Sequence, residues 1–179
     1  MSGRLRLASF AAALLTLARP GLPQSGGQVR AVAAASPDDA PRLLVLSDQA
    51  RRFLALEYRA FPTEFMGCMI GTVRGEAVVV ERIAPADVDP AQSTATWVVP
   101  RQSCEGSGWT GTIGTIHSHP SAERCWYFFP GTQVPSADGQ SFMMAGYAVD
   151  AIMCGDRVVW INRGLVQREL ALSPPRSPG

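Results

Sequence analysis

His117 and His119 are the only two histidines in a chain of 179 residues, and a single serine separates them. On an extended strand, residues i and i+2 project to the same side. Both imidazoles can therefore reach one cation, and neutral imidazole is a common zinc ligand. The competing reading is a pair of surface histidines at a strand end. A hydrolytic zinc site needs a third protein ligand and a position left open for water. No histidine remains, so a carboxylate is expected. Asp138, at the start of a predicted helix beyond the loop that follows the histidines, is the leading candidate, with Asp150 and Asp156 as alternatives. An aspartate in that setting also serves as a helix N-cap. Such a site needs, in addition, a group that takes a proton from water and hands it to the leaving amine. Glu64 opens the glycine-bearing run Glu64-Phe65-Met66-Gly67-Cys68-Met69-Ile70-Gly71. It fits that role, against the reading of an exposed loop glutamate.

The elements that must position these residues follow from the pattern of apolar and turn residues. Arg42 to Leu46 reads as a first strand. Ser47 is a plausible N-cap for a helix running to about Ala60, with Asp48 favouring the helix dipole, and Pro62 ends it. Phe65 to Val73, the turn Arg74-Gly75 and Ala77 to Val80 read as a hairpin. Thr94 to Val99 is expected as a strand, and Trp109 to Ile116 as the strand that delivers His117. Ser121 to Pro135 is a long loop holding Trp126, Tyr127, Phe128 and Phe129, and loops of that length are often functional. Asp138 to Ala145 is expected as a short helix with Phe142 and Met143 inward. Ala148 to Cys154 and Arg157 to Asn162 form a strand pair around the turn Gly155-Asp156. This order predicts an α+β or mixed α/β domain, a central mixed β-sheet flanked by helices.

Composition bounds the reading. Hydrophobic residues make up 46% and charged residues 17% of the chain, enough for one sizeable core. A net charge of +1 gives no electrostatic footprint for nucleic acid. All sixteen basic residues are arginines, so the chain has no lysine amine with which to form an isopeptide bond or an imine. Arg4 and Arg6 before the apolar stretch Leu7 to Ala18 resemble a secretory signal, although Arg19-Pro20 is a poor cleavage junction. The stretch is too short to span a bilayer as a helix. Residues 1–41 are expected as a signal-like or disordered leader, 42–170 as the domain, and 171–179 as a disordered tail. The four cysteines contain no CxxC pair. Cys68 and Cys154 read as small core residues; Cys104 and Cys125 lie in polar segments and could pair if the chain is exported. If all four pair, three connectivities are open.

Taken in order, Glu64-x-x-Gly67-x-x-x-Gly71, His117-x-His119-Pro120 and the segment Pro135-Ser136-Ala137-Asp138 resemble the motif of the JAMM (JAB/MPN) zinc metalloprotease family, of the bacterial single-domain type. The resemblance covers most of residues 43–163. It implies a cytidine-deaminase-like JAMM/MPN fold and hydrolysis of a peptide or isopeptide bond. It also implies Zn²⁺ held by His117, His119 and Asp138, with water as nucleophile in the fourth position and Glu64 as general base and then acid. A family serine usually stabilises the oxyanion and stands three residues before the aspartate. Here Ser136 is two before it and Pro135 fills the expected place, so Ser136 is the candidate at a shifted spacing. The implied partner is a protein or peptide, such as the C-terminus of a ubiquitin-like or sulfur-carrier protein, with no nucleic acid and no membrane span. Family members are commonly intracellular, whereas a true signal peptide would mean export. The alternatives are a non-catalytic or weakly active MPN-type scaffold and an exported domain stabilised by disulfides.

Overall fold

The structure is a computed structural model and describes residues 40–172. The expected leader through residue 39, and the expected tail from 173, lie outside the described residues. Seven strands form one sheet: β1 (Leu43–Leu46), β2 (Met66–Arg74), β3 (Ala77–Pro85), β4 (Thr112–Ser118), β5 (Val149–Cys154), β6 (Arg157–Asn162) and β7 (Gln167–Ala171). Two helices accompany them, α1 (Asp48–Ala60) and α2 (Ala137–Met144). The strand order is β1-β3-β2-β4-β5-β6-β7. The β1/β3 and β4/β5 pairs are parallel, and the other neighbours are antiparallel. A parallel pair needs a long crossover. Each of these pairs has a helix in its connection, α1 for the first and α2 for the second.

Local chemistry explains the elements that match expectation. The Ser47 hydroxyl accepts from the Ala50 amide and caps α1, which ends at Ala60. Gly75 takes a φ of +55° in the β2–β3 turn, a conformation that suits glycine. Every residue of β5 is buried. Its odd-numbered Val149, Ala151 and Met153 join the core that contains Leu54 of α1 and Trp160 of β6, while Ile152 and Cys154 pack with Tyr127 and Phe142 of the opposite face. Burial on both faces is why this strand reads as a continuous apolar run.

The expectation of a central sheet flanked by helices is overturned. The domain is mostly β, with two short helices among the described residues, and the sheet curls until it nearly closes. The Asn162 side-chain amide donates to the Pro41 carbonyl beside β1 at 2.6 Å. Arg51 of α1 donates to the carbonyls of Ala171 and Leu172 at the end of β7. Twist accumulated over seven strands brings the edges towards each other. The segments that would have to supply further helices are rich in proline, glycine and aspartate. Asp89-Pro90, Pro100, Gly106 and Gly108 lie in the β3–β4 connection, and Pro120, Pro130, Gly131 and Pro135 lie between β4 and α2. These residues break helices and favour turns, so irregular chain covers the sheet there.

Three local expectations also change. Thr94 to Val99 is not a strand: Asp89 gathers this segment, its side chain accepting from the Ala91 amide and its carbonyl from Ser93, while Thr94 donates to the Trp97 carbonyl. Met143 is 42% exposed, and only Phe142 of that pair points inward. The cysteines pair as Cys68–Cys104 and Cys125–Cys154, so each core cysteine is bonded to a loop cysteine. The first bond ties the β3–β4 connection to the middle of β2. In the chain-entropy estimate each crosslink contributes about 4 kcal/mol.

Candidate metal centre

The site forms where the C-terminal end of β4 meets the start of α2. His117 is the penultimate residue of β4, in register with Met66 of β2 and Ile152 of β5. Close approach of β4 to β5 requires Gly114, where a Cβ would lie 2.4 Å from the Val149 carbonyl oxygen. The chain then leaves the strand with its backbone held on two sides. The His119 amide donates to the Met153 carbonyl, and the Tyr58 hydroxyl of α1 lies 3.0 Å from the His119 carbonyl and 3.2 Å from that of Pro120. Ser118, between the two histidines, faces the other way. It is buried, and its hydroxyl accepts from the Phe65 amide at 3.0 Å, while its own amide donates to the Phe65 carbonyl. The residue next to Glu64 is thereby fixed to the histidine strand. Nothing in the sequence marked Ser118 for this task.

The structure brings Glu64, His117, His119 and Asp138 together. His117 Nε2 lies 3.5 Å from Asp138 Oδ1, and His119 Nε2 lies 3.7 Å from Asp138 Oδ2 and 3.7 Å from Glu64 Oε1. One donor atom from each of His117, His119 and Asp138 falls within 4.8 Å of the other two. Metal–ligand bonds of about 2.05 Å at tetrahedral angles put ligand atoms roughly 3.3 Å apart. The two histidine–aspartate distances are within a few tenths of an ångström of that spacing. His117 Nε2 is buried and has no hydrogen-bond partner; at 3.5 Å, Asp138 is too distant for a well-formed hydrogen bond. A buried ring nitrogen without a partner is costly, and a cation at this point would satisfy it. His119 Nδ1 lies 2.9 Å from the Glu123 carbonyl. A carbonyl only accepts, so this nitrogen carries the proton and the lone pair of Nε2, on the side of Asp138 and Glu64, is left for a cation. A hydrogen bond of this kind fixes the tautomer of a metal-binding histidine.

The other expected residues lie elsewhere. Ser136 is the N-cap of α2: its hydroxyl accepts from the Gly139 amide and donates to the Trp126 carbonyl at 3.0 Å. Its single proton is thus directed at the loop backbone. Asp156 is exposed in the β5–β6 turn. Asp150 is buried behind His117 and accepts from the hydroxyls of Thr115 and Tyr127. The Tyr127 hydroxyl thereby anchors the long loop that leads to Asp138. Sequence reasoning missed this carboxylate as a supporting group. The available signal was an aspartate inside the otherwise apolar strand Val149 to Cys154, since a buried carboxylate must find partners.

The charges of the cluster are interdependent. Burial pushes the Glu64 carboxyl up, His117 opposes this and Asp138 adds to it, leaving the group at about 7. Burial pushes His117 down, but the contact with Asp138 and the charges of Asp150 and Glu64 outweigh it, so its pKa is raised. His119 is lowered by burial and by the charge on His117. Burial raises Asp138, but its two histidine neighbours more than compensate, and it ends below the usual carboxylate range. A carboxyl with a raised pKa binds its proton more tightly when folded than when unfolded. Its contribution to stability is therefore fully present below the ordinary glutamate pKa and is lost as pH rises to about 7. In metal-free protein, the unfolding free energy of wild type minus that of Glu64→Gln is expected to fall across this window and level off above it. Urea denaturation at a series of pH values measures the difference, and a flat difference would contradict the burial of Glu64.

Comparison with known proteins fits this geometry. The family described as prokaryotic homologs of the JAB domain matches residues 46–128, a span that includes Glu64, His117 and His119 and stops before Asp138. No curated protein shows a significant match. Among solved structures, the chain is similar to a Desulfitobacterium hafniense protein determined in solution, at 20% identity and a TM-score of 0.39, over 72% of this chain and 90% of that one. That likeness is too distant to bear on function. The matching segment, with its histidine pair at the end of β4 and its glutamate beside β2, supports a prokaryotic JAB/MPN-type domain.

Proposed function

We propose that this domain is a zinc-dependent metallopeptidase that hydrolyses a peptide or isopeptide bond. The observation that carries the reading is the assembled donor set of His117, His119 and Asp138, with the Glu64 carboxylate 3.7 Å from His119 Nε2. The buried and unpartnered His117 Nε2 supports a cation between these groups. Zn²⁺ held there supplies a Lewis acid that polarises a carbonyl and acidifies water. The chain's own residues do the rest. Asp138 and His117 orient their donor atoms from α2 and β4. The Glu123 carbonyl keeps the His119 proton on Nδ1. Glu64, buried at the margin of the donor set, accepts a proton from the attacking water and delivers it to the leaving amine. The Ser136 hydroxyl is committed to the Trp126 carbonyl and receives no role at the oxyanion. A site lacking one such donor typically runs about 10²–10³ times slower.

That commitment of Ser136 also favours a second reading, a weakly active or non-catalytic MPN-type scaffold that keeps its metal. Metal analysis and a hydrolysis assay separate the two. Protein as purified is expected to hold about one zinc per chain. Removal by a chelator should abolish cleavage of peptides and of ubiquitin-like or sulfur-carrier proteins extended beyond their C-terminal glycine, and zinc should restore it. Zinc without any cleavage would leave the scaffold reading, and no zinc would remove both.

A further inference from the structure

A second group of metal donors lies on the far side of His119. One donor atom from each of His119, Cys125 and Cys154 falls within 4.8 Å of the other two, and all three residues are buried. In the structure the two sulfurs are bonded to each other. The Glu123 carbonyl lies 2.9 Å from His119 Nδ1 and 3.5 Å from Cys125 Sγ, which identifies Nδ1 as the nitrogen on that side and adds an oxygen to the group. We propose that the Cys125–Cys154 disulfide masks a thiolate–imidazole zinc site, which reduction exposes.

The chemistry balances with a dithiol as reductant. Its two thiols give up two electrons and two protons and close to a disulfide. The Cys125–Cys154 bond breaks, leaving two thiols. Zinc then displaces both thiol protons, since thiolate is the form that binds metal. Two sulfurs and one imidazole, with the Glu123 carbonyl or a water completing four ligands, is a donor set that zinc favours. With bonds of about 2.3 Å to sulfur, the sulfurs must move from bonding distance to roughly 3.8 Å apart. Cys154 is held in β5, but Cys125 lies in irregular chain and can make the movement. Access is provided from the surface. A cavity of about 370 Å³ is lined by Ala122, Glu123, Arg124, Cys125, Trp126 and Arg157. Arg124 and Arg157, the latter paired with Glu169, line this cavity beside Cys125.

One consequence rests on the function proposed above, although the site itself does not. Metal at Nδ1 requires the proton now shared with the Glu123 carbonyl to move to Nε2. Nε2 then no longer offers a lone pair to the first site. Reduction would thus draw the metal from the first centre to the thiolate site.

Cobalt(II) and differential alkylation test the proposal on the full chain. After reduction by a phosphine, which supplies no sulfur ligand, cobalt is expected to produce sulfur-to-cobalt charge-transfer absorption that oxidised protein lacks. Zinc is expected to protect Cys125 and Cys154, but not Cys68 and Cys104, from alkylation read by peptide mass spectrometry. His119→Ala should lose the protection. The proposal is overturned if Cys125 and Cys154 are alkylated equally fast with and without zinc, if the charge-transfer absorption persists in Cys125→Ser/Cys154→Ser, or if reduced protein loses its near-ultraviolet circular dichroism and zinc does not restore it. Cobalt bound by oxidised protein without the sulfur band reports the first centre separately, so either centre can fail while the other stands.

Discussion

Glu64→Gln is expected to leave one zinc per chain at saturating metal and to lower hydrolysis by about 10³–10⁴-fold, the upper part of the range for general acid–base catalysis. The reasoning is geometric. Glu64 is buried and its Oε1 stands 3.7 Å from His119 Nε2, at the margin of the donor set. The amide has the same shape, so the anchoring of the neighbouring Phe65 to Ser118 is preserved. What is lost is the capacity to hold a proton between the attack of water and the departure of the amine. Because one carboxylate serves both steps, both suffer. Metal analysis beside single-turnover hydrolysis measures the two consequences independently. A variant that keeps zinc and full activity would show that Glu64 is not the base. A variant that loses zinc would make it a ligand.

Asp138→Ala is expected to weaken zinc binding by more than about 100-fold, because even supporting partners of metal ligands are worth 10–100-fold. Both carboxylate oxygens are engaged, Oδ1 near His117 and Oδ2 near His119. Their removal leaves the two imidazoles without the carboxylate they share, one of them with a raised pKa that depends in part on Asp138. The fold should survive. Ser136, not Asp138, caps α2, and a first-turn charge is worth only about 0.3–1 kcal/mol. Asp156→Ala is the control, since Asp156 is exposed in a turn. Competition against a chromogenic chelator gives the affinities. A large loss in Asp156→Ala together with none in Asp138→Ala would reverse the assignment.

The parts of the fold legible in the sequence are those that local chemistry determines. Ser47 followed by an amphipathic stretch announces a capped helix, and Gly75 and Gly155 each mark a hairpin turn. The histidine pair at the end of an apolar run marks the candidate site, and the ordered glutamate, histidine pair and aspartate carry the resemblance to the JAMM family. Properties that depend on distant partners were not legible. Nothing local places β3 between β1 and β2, or shows that the edges of the sheet converge through Asn162 and Arg51. Strand β7 hides because Gln167-Arg168-Glu169 is polar, as the outermost strand of a sheet can be. Thr94 to Val99 has β-forming residues but loses to the turn built by Asp89. The disulfide pairing had three solutions on paper. Only the three-dimensional structure distinguishes them, because each bond joins a strand to irregular chain far away in sequence.

The Cys68–Cys104 bond has a mechanical consequence for the long β3–β4 connection. Every peptide bond from residue 86 to residue 103 lies inside the ring that this bond closes. A protease that nicks the exposed chain around Gln92 to Thr96 would sever the backbone without releasing a fragment. The half that carries Glu64 and the half that carries the histidines would remain covalently one molecule. On a denaturing gel the nicked protein would migrate as a single species until a reductant separated its two parts.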